Sequence, residues 1–280
     1  MLKKFIAITA ISFAILFLLG LIRYFFGIES STIIGCVIYY LFFIVCMHTQ
    51  KKLGKLKVFL AVILGILILN VPLRITAFDS SIITLPEMVL YLISVLVSYM
   101  SYSVQNKASR YIVFFSYLSV VSIASLALYK YWFNYVNFGN FNEKLKKAEN
   151  VIDIEVFTNE NETQVLNSNG NILVLDFWNS ECAACFEKFP ALQKLSDKYS
   201  EKVDFYAINI PFRNERNKDI FKKISAMGYS FNTVIAKDSM LYKKLGVKVF
   251  PTTLIIDKND NIIFRGDIES VGGIINKLLN

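Results

Sequence analysis

Five apolar runs dominate the first half of the chain. Residues 5–26, 32–47, 58–71, 88–102 and 111–132 are nearly uncharged, with short polar stretches between them. A helix rises about 1.5 Å per residue and a bilayer's hydrocarbon layer is about 30 Å thick, so the runs predict five transmembrane helices, the third of them short. Lys3 and Lys4 ahead of the first run are what a signal peptide would carry, yet no small-x-small cleavage site follows, and the first run reads as a retained helix.

Beyond Phe141 the pattern changes. Apolar stretches of strand length predict strands over residues 172–178, 203–210, 233–236, 252–256 and 262–265, the last two joined by the polar turn Lys258-Asn259-Asp260-Asn261. Apolar residues at helical spacing, such as Phe186, Phe189, Leu192 and Leu195, belong to a predicted helix over 185–199. Further helices are expected over 219–227, 239–245, closed by Gly246, and 268–279. The expected architecture is a multi-span α-helical membrane domain (residues 1–134), a polar linker (135–150) and an α/β domain (151–280) with a central mixed sheet and helices on both faces.

Charge adds a direction to this layout. Of 30 basic and 22 acidic residues, 11 and 3 precede position 135, so the whole net charge of +8 belongs to the apolar half. A nucleic-acid-binding domain would carry its excess on the soluble part, where it could meet phosphates, so nucleic acid is excluded as a partner. The basic excess is instead a topology signal: Lys3 and Lys4, then Lys51, Lys52, Lys55 and Lys57, then Lys107 and Arg110 mark the N-terminus and the even-numbered turns as cytoplasmic. Five crossings put residues 135–280 outside the cytoplasm, in the bacterial periplasm or its equivalent, with the plasma membrane's lipid bilayer as a partner. Glu87, beside Pro86, reads as a first-turn residue at the interface; with nothing ionisable deep in any run, transport is not expected.

The chemistry lies where the first buried strand runs into a helix, at Trp178-Asn179-Ser180-Glu181-Cys182-Ala183-Ala184-Cys185. Two cysteines three apart at a helix start lie on one side of the first turn, within reach of a disulfide. Unpaired backbone N–H groups and the positive end of the helix dipole stabilise a thiolate at the first, making Cys182 the attacking sulfur. Zinc would need four ligands, whereas the remaining cysteines are Cys36 and Cys46 in the second run and the one histidine is His48 at its end, so no metal is expected. A purely structural bridge would gain little by closing so short a loop.

These residues resemble the thioredoxin superfamily, and within it the membrane-tethered TlpA/ResA-like extracytoplasmic thiol-disulfide oxidoreductases. The resemblance covers about residues 152–280. It rests on Leu175-Asp176-Phe177-Trp178 before the cysteine pair, on Leu245-Gly246-Val247-Lys248-Val249-Phe250-Pro251-Thr252-Thr253, and on Leu254-Ile255-Ile256-Asp257 before the final hairpin. It implies a thioredoxin fold and a redox-active Cys182–Cys185 disulfide. By the same resemblance Pro251 is a cis-proline facing the pair, and Asp176 a buried acid that takes the proton of Cys185. Trp178, Phe250 and Glu181 fall at positions that form the active-site surroundings and the substrate-docking surface. Glu181 stands where many relatives carry an aromatic, Ala183-Ala184 replaces Gly-Pro or Pro-Pro, and Phe250 replaces a smaller residue; such positions tune redox potential and docking.

The expected function is reduction of disulfides in substrate proteins through the dithiol, without cofactor, with re-reduction by a membrane or extracytoplasmic electron donor that the sequence does not identify. Two alternatives stand beside it. One makes the soluble half a redox sensor or binding module whose disulfide signals to the helices, motivated by Glu181 and Phe250. The other uses Cys36 and Cys46 as a transmembrane relay, although on one helix they lie about 15 Å apart and each needs another partner.

Overall fold

The computed structural model describes residues 1–150, 153–158, 162–212 and 215–279, with side chains of 144–150 left aside. The chain divides into two compact units, residues 1–132 and 133–280.

The first unit is helical: α1 (Leu2–Thr49), α2 (Lys55–Thr76), the single turn α3 (Phe78–Ser81), α4 (Leu85–Tyr102), α5 (Lys107–Ile123) and α6 (Tyr129–Phe138), which runs on into the second unit. Among the described residues, four helical stretches are long and apolar enough to cross a membrane: Leu2–Thr49, Lys55–Thr76, Phe78–Tyr102 and Lys107–Phe138. The first carries two of the five apolar runs, because Gly27, at φ 79° and ψ 171°, breaks α1 with a conformation that only glycine adopts freely. Small residues let the helices approach. The Ser12 hydroxyl donates to the Val62 carbonyl at 2.8 Å, and any side chain at Gly65 or Gly35 would collide with Ser12 or Tyr91. Cys36 and Cys46 are buried here and unbridged.

Glu87 is more enclosed than its place at a helix start suggests. It does lie in the first turn of α4, but it is 2% exposed and ion-paired with Arg23 of α1, and the Tyr91 hydroxyl donates to its Oε1 at 2.6 Å. The sequence reading passed over Arg23, which sits near the end of the first apolar run and supplies the countercharge that makes burial of Glu87 tolerable.

Among the described residues, the second unit is built on one eight-stranded mixed sheet. Its strands are β1 (Lys144–Asn150), β2 (Ile154–Phe157), β3 (Thr163–Leu166), β4 (Ile172–Trp178), β5 (Val203–Asn209), β6 (Asn232–Ala236), β7 (Thr252–Ile256) and β8 (Asn261–Gly266), in spatial order β1-β8-β7-β4-β5-β6-β2-β3. β4, β5 and β6 run parallel, and β7 lies antiparallel to β4. β4 is buried at every position, as a continuous apolar run in mid-sheet requires. The stretch expected as a linker ends in β1, which pairs antiparallel with β8 and satisfies the row of backbone groups along that strand's outer edge.

Helices cover both faces. On one, α7 (Ala183–Tyr199), α8 (Asn217–Ser225) and α10 (Ile268–Leu279) pack Phe189, Ile220 and Val271 against Val174 and Trp178; on the other, Leu241 of the one-turn α9 (Leu241–Lys244) packs against Leu175 and Phe177. Phe189 is the hub of the first face, with ring centroids at 5.4 Å from Trp178, 5.5 Å from Phe186 and 5.3 Å from Phe231. Phe189→Ala is expected to cost about 3–5 kcal/mol of stability, from lost burial and the cavity left behind. Chemical denaturation of the full chain followed by near-ultraviolet circular dichroism reads that loss; less than about 1 kcal/mol would mean that the aromatic cluster collapses to fill the space.

Candidate redox site

The C-terminal end of β4 delivers the site. After Trp178 the chain turns, with the backbone N–H of Glu181 donating to Asn179 Oδ1 at 3.0 Å and that of Cys182 donating to the Asn179 carbonyl at 3.2 Å. Cys182 is the N-cap of α7, and its Sγ accepts from the backbone N–H of Cys185 at 3.2 Å. The first sulfur therefore occupies the position at which free helix N–H groups stabilise negative charge. Cys182 and Cys185 are joined in a disulfide, their Cα atoms 5.3 Å apart. Cys182 is half-buried and Cys185 fully buried, so a partner protein can reach only the first sulfur.

Asp176 lies two residues before Trp178, and alternation along a strand puts both on the face covered by α7. It is 1% exposed. Thr253, its cross-strand partner on β7, donates its hydroxyl to Oδ1 at 2.7 Å, and Oδ2 has no hydrogen-bond partner among the described residues. Burial raises the carboxyl to about 7, with the Thr253 hydroxyl pulling it down and the negative charge of Asp267 pushing it up. Such a group holds or releases a proton near neutrality.

The peptide between Phe250 and Pro251 is cis. Phe177 pairs with Thr252, so Pro251 stands just before β7 where that strand passes the end of β4. Phe250 is half-buried, its ring 5.3 Å from that of Tyr242. Trp178 is wholly buried, its indole edge-on to Phe186 and Phe189, so it supports the active-site turn from below and offers no surface to a partner. Glu181 is exposed, so solvent screens its charge.

Sequence reasoning missed two contributors. Thr253 was quoted in a motif, but its bond to Asp176 depends on strand register. Lys223 of α8 donates to the Ser180 carbonyl at 2.7 Å and lies over the Phe186 ring, bringing a cation into the turn that holds Glu181. Nothing in its local spacing points there. Among the described residues no three His, Cys, Asp or Glu side chains gather in a way that would hold a metal ion.

Comparison with known proteins gives a concordant picture. A family model described as thioredoxin-like matches residues 169–262. The thiol-disulfide oxidoreductase ResA of Halalkalibacterium halodurans is 30% identical over 95 residues, which cover 34% of this chain and 52% of ResA. The thioredoxin-like protein YneN of Bacillus subtilis is 27% identical over 89 residues, 32% of this chain and 52% of YneN. The chain thus spans about half the length of the curated relatives it matches. Among solved structures, the thioredoxin domain of the thiol-disulfide oxidoreductase BVU-2223 from Bacteroides vulgatus is 19% identical, with 49% of this chain and 99% of that one covered at a TM-score of 0.43. Residues 169–262 thus match a thioredoxin-like domain, and the chain is similar over about a third of its length to thiol-disulfide oxidoreductases of the ResA kind.

Proposed function

We propose that the chain is a membrane-anchored, extracytoplasmic thiol-disulfide oxidoreductase that reduces disulfides in partner proteins. The observation that carries this reading is the placement of Cys182 as a half-buried helix N-cap bridged to a buried Cys185, a pair in which one sulfur meets the partner and the other resolves. In the reduced state the Cys182 thiolate attacks a substrate disulfide. One substrate sulfur leaves as a thiolate and takes up a proton, and a mixed disulfide remains on Cys182. Cys185 passes its proton to Asp176, whose pKa of about 7 suits a base near neutrality, and attacks Cys182 Sγ. The second substrate sulfur leaves as a thiol, and the domain ends as the Cys182–Cys185 disulfide. Two electrons from a dithiol partner complete the cycle.

The long apolar helical stretches support anchorage; with the first of them broken at Gly27 into two crossings they make five, and with the lysines clustered at Lys51–Leu53 and Lys55 on the cytoplasmic side this reading puts the redox domain outside. Two measurements on the full chain test the proposal. Purified in detergent, it should reduce a model protein disulfide repeatedly when supplied with a dithiol; a single turnover ending in a stable disulfide would favour a sensor. In intact cells, a membrane-impermeant thiol reagent should reach reduced Cys182 from outside, and protection of that thiol until the cytoplasm is opened would reverse the topology.

A further inference from the structure

Away from the redox site, a group of polar side chains of the helical unit lines a cavity of about 300 Å³. Arg23 from the first half of α1, Asn70 and Arg74 from the end of α2, Thr84, and Glu87 and Tyr91 from α4 line it. The rest of its wall is largely apolar, including Leu16, Leu69 and Leu73.

The charges in this wall do not balance. Glu87 is neutralised by Arg23 and takes a further hydrogen bond from Tyr91. Among the described residues the hydrogen-bond partners of Arg74 are neutral: its Nη1 donates to the Asn70 carbonyl at 3.1 Å and to Asn70 Oδ1 at 2.8 Å, and its Nη2 to Thr84 Oγ1 at 3.3 Å. Two guanidinium groups thus share one carboxylate, and the Nε of each is buried without an acceptor among the described residues. An uncompensated cation in apolar surroundings is costly, and an anion entering the cavity removes that cost. Guanidinium is also the group whose planar fork best matches phosphate oxygens.

We propose that this cavity binds the phosphate headgroup of an anionic membrane lipid, with Arg74 as the principal contact, the Arg23–Glu87 pair beside it, and the acyl chains along Leu16, Leu69 and Leu73. The proposal rests on the membrane placement argued above and is independent of the redox chemistry. Arg23 and Arg74 each lie near the end of an apolar run that reaches the extracytoplasmic side in that topology, so the lipid belongs to the outer leaflet.

The test uses the full chain purified in a neutral detergent. Phosphatidylglycerol, phosphatidylcholine and inorganic phosphate are added at matched phosphate concentrations, and thermal unfolding and native mass spectrometry are recorded. Phosphatidylglycerol should raise the unfolding temperature saturably and remain bound at one copy per chain. Phosphatidylcholine, whose phosphate is balanced by its own cation, and free phosphate should do neither. Arg74→Gln should weaken the apparent affinity for phosphatidylglycerol about tenfold or more, and Arg74→Lys should keep most of it. Equal effects of the two lipids, an equal effect of free phosphate, unsaturable lipid uptake by the wild type, or full affinity in Arg74→Gln would each overturn the proposal. The wild-type measurements decide it even if a variant fails to fold. A chain released from membranes by carbonate alone overturns the membrane reading and this site together, whereas a chain that needs detergent for release yet shows no lipid preference overturns this site only.

Discussion

Cys182→Ser is expected to abolish disulfide exchange by the full chain, lowering the rate by at least about 10³-fold. The loss is one of chemistry and not of folding. Cys182 caps α7 by accepting from the backbone N–H of Cys185, and a serine hydroxyl caps a helix at least as well as a sulfur does. The half-buried position and the turn built by Asn179 remain available to serine, so the domain should stay folded. What disappears is a side chain that ionises near neutral pH and attacks sulfur. Activity is read with an insulin-type disulfide substrate and a dithiol donor, and folding by near-ultraviolet circular dichroism of the same sample. A folded Cys182→Ser chain retaining more than about a tenth of the wild-type rate would place the nucleophile elsewhere.

The second large effect concerns Asp176. Its folded-state carboxyl stands at about 7, above the ordinary 3.8, chiefly because burial disfavours the charge. The folded chain therefore binds more protons than the unfolded chain between those two values. Stability contributed by this group is complete below about 3.8 and is lost as pH rises through about 7. The loss is on the order of a few kcal/mol. Asp176→Asn, which can still accept from Thr253, should remove that pH dependence and be the more stable protein at pH 8, as denaturation at pH 5 and pH 8 would reveal. Its catalytic effect runs the other way. Without a proton acceptor for Cys185, release of the mixed disulfide should slow by about 10²-fold, and the limb of the pH–rate profile near 7 should vanish. A variant that is stabilised at pH 8 but resolves at the wild-type rate would leave Asp176 a role in packing alone.

What the sequence revealed follows from how local each signal is. β4, β7 and α10 were expected at 172–178, 252–256 and 268–279, and they form with those bounds, since each is a compact apolar run with clear stops. The cysteine pair, too, was legible, because a strand running into a helix start is a local pattern and the electrostatics of the cap follow from it. The break at Gly27 falls between the first two apolar runs, where the pattern already changed. Features that depend on pairing across the chain were not legible. The Thr253–Asp176 bond needs the β4–β7 register, and Lys223 reaches Ser180 only after α8 packs on the sheet. β2 and β3 form a hairpin at the sheet edge from a stretch with no strong alternation of its own. Arg23 is the clearest miss: Glu87 stands in the first turn of its helix as expected, and only the approach of α1 shows that Arg23 pairs with it and encloses it.

In the proposed exchange Cys182 attacks and Cys185 resolves. Trapping with full-length Cys185→Ser, mixed with a disulfide-bonded protein and mapped by mass spectrometry of non-reduced peptides, tests it most directly. A mixed disulfide should accumulate on Cys182 and be released by dithiothreitol. No adduct, or one mapped to Cys36 or Cys46, would contradict it.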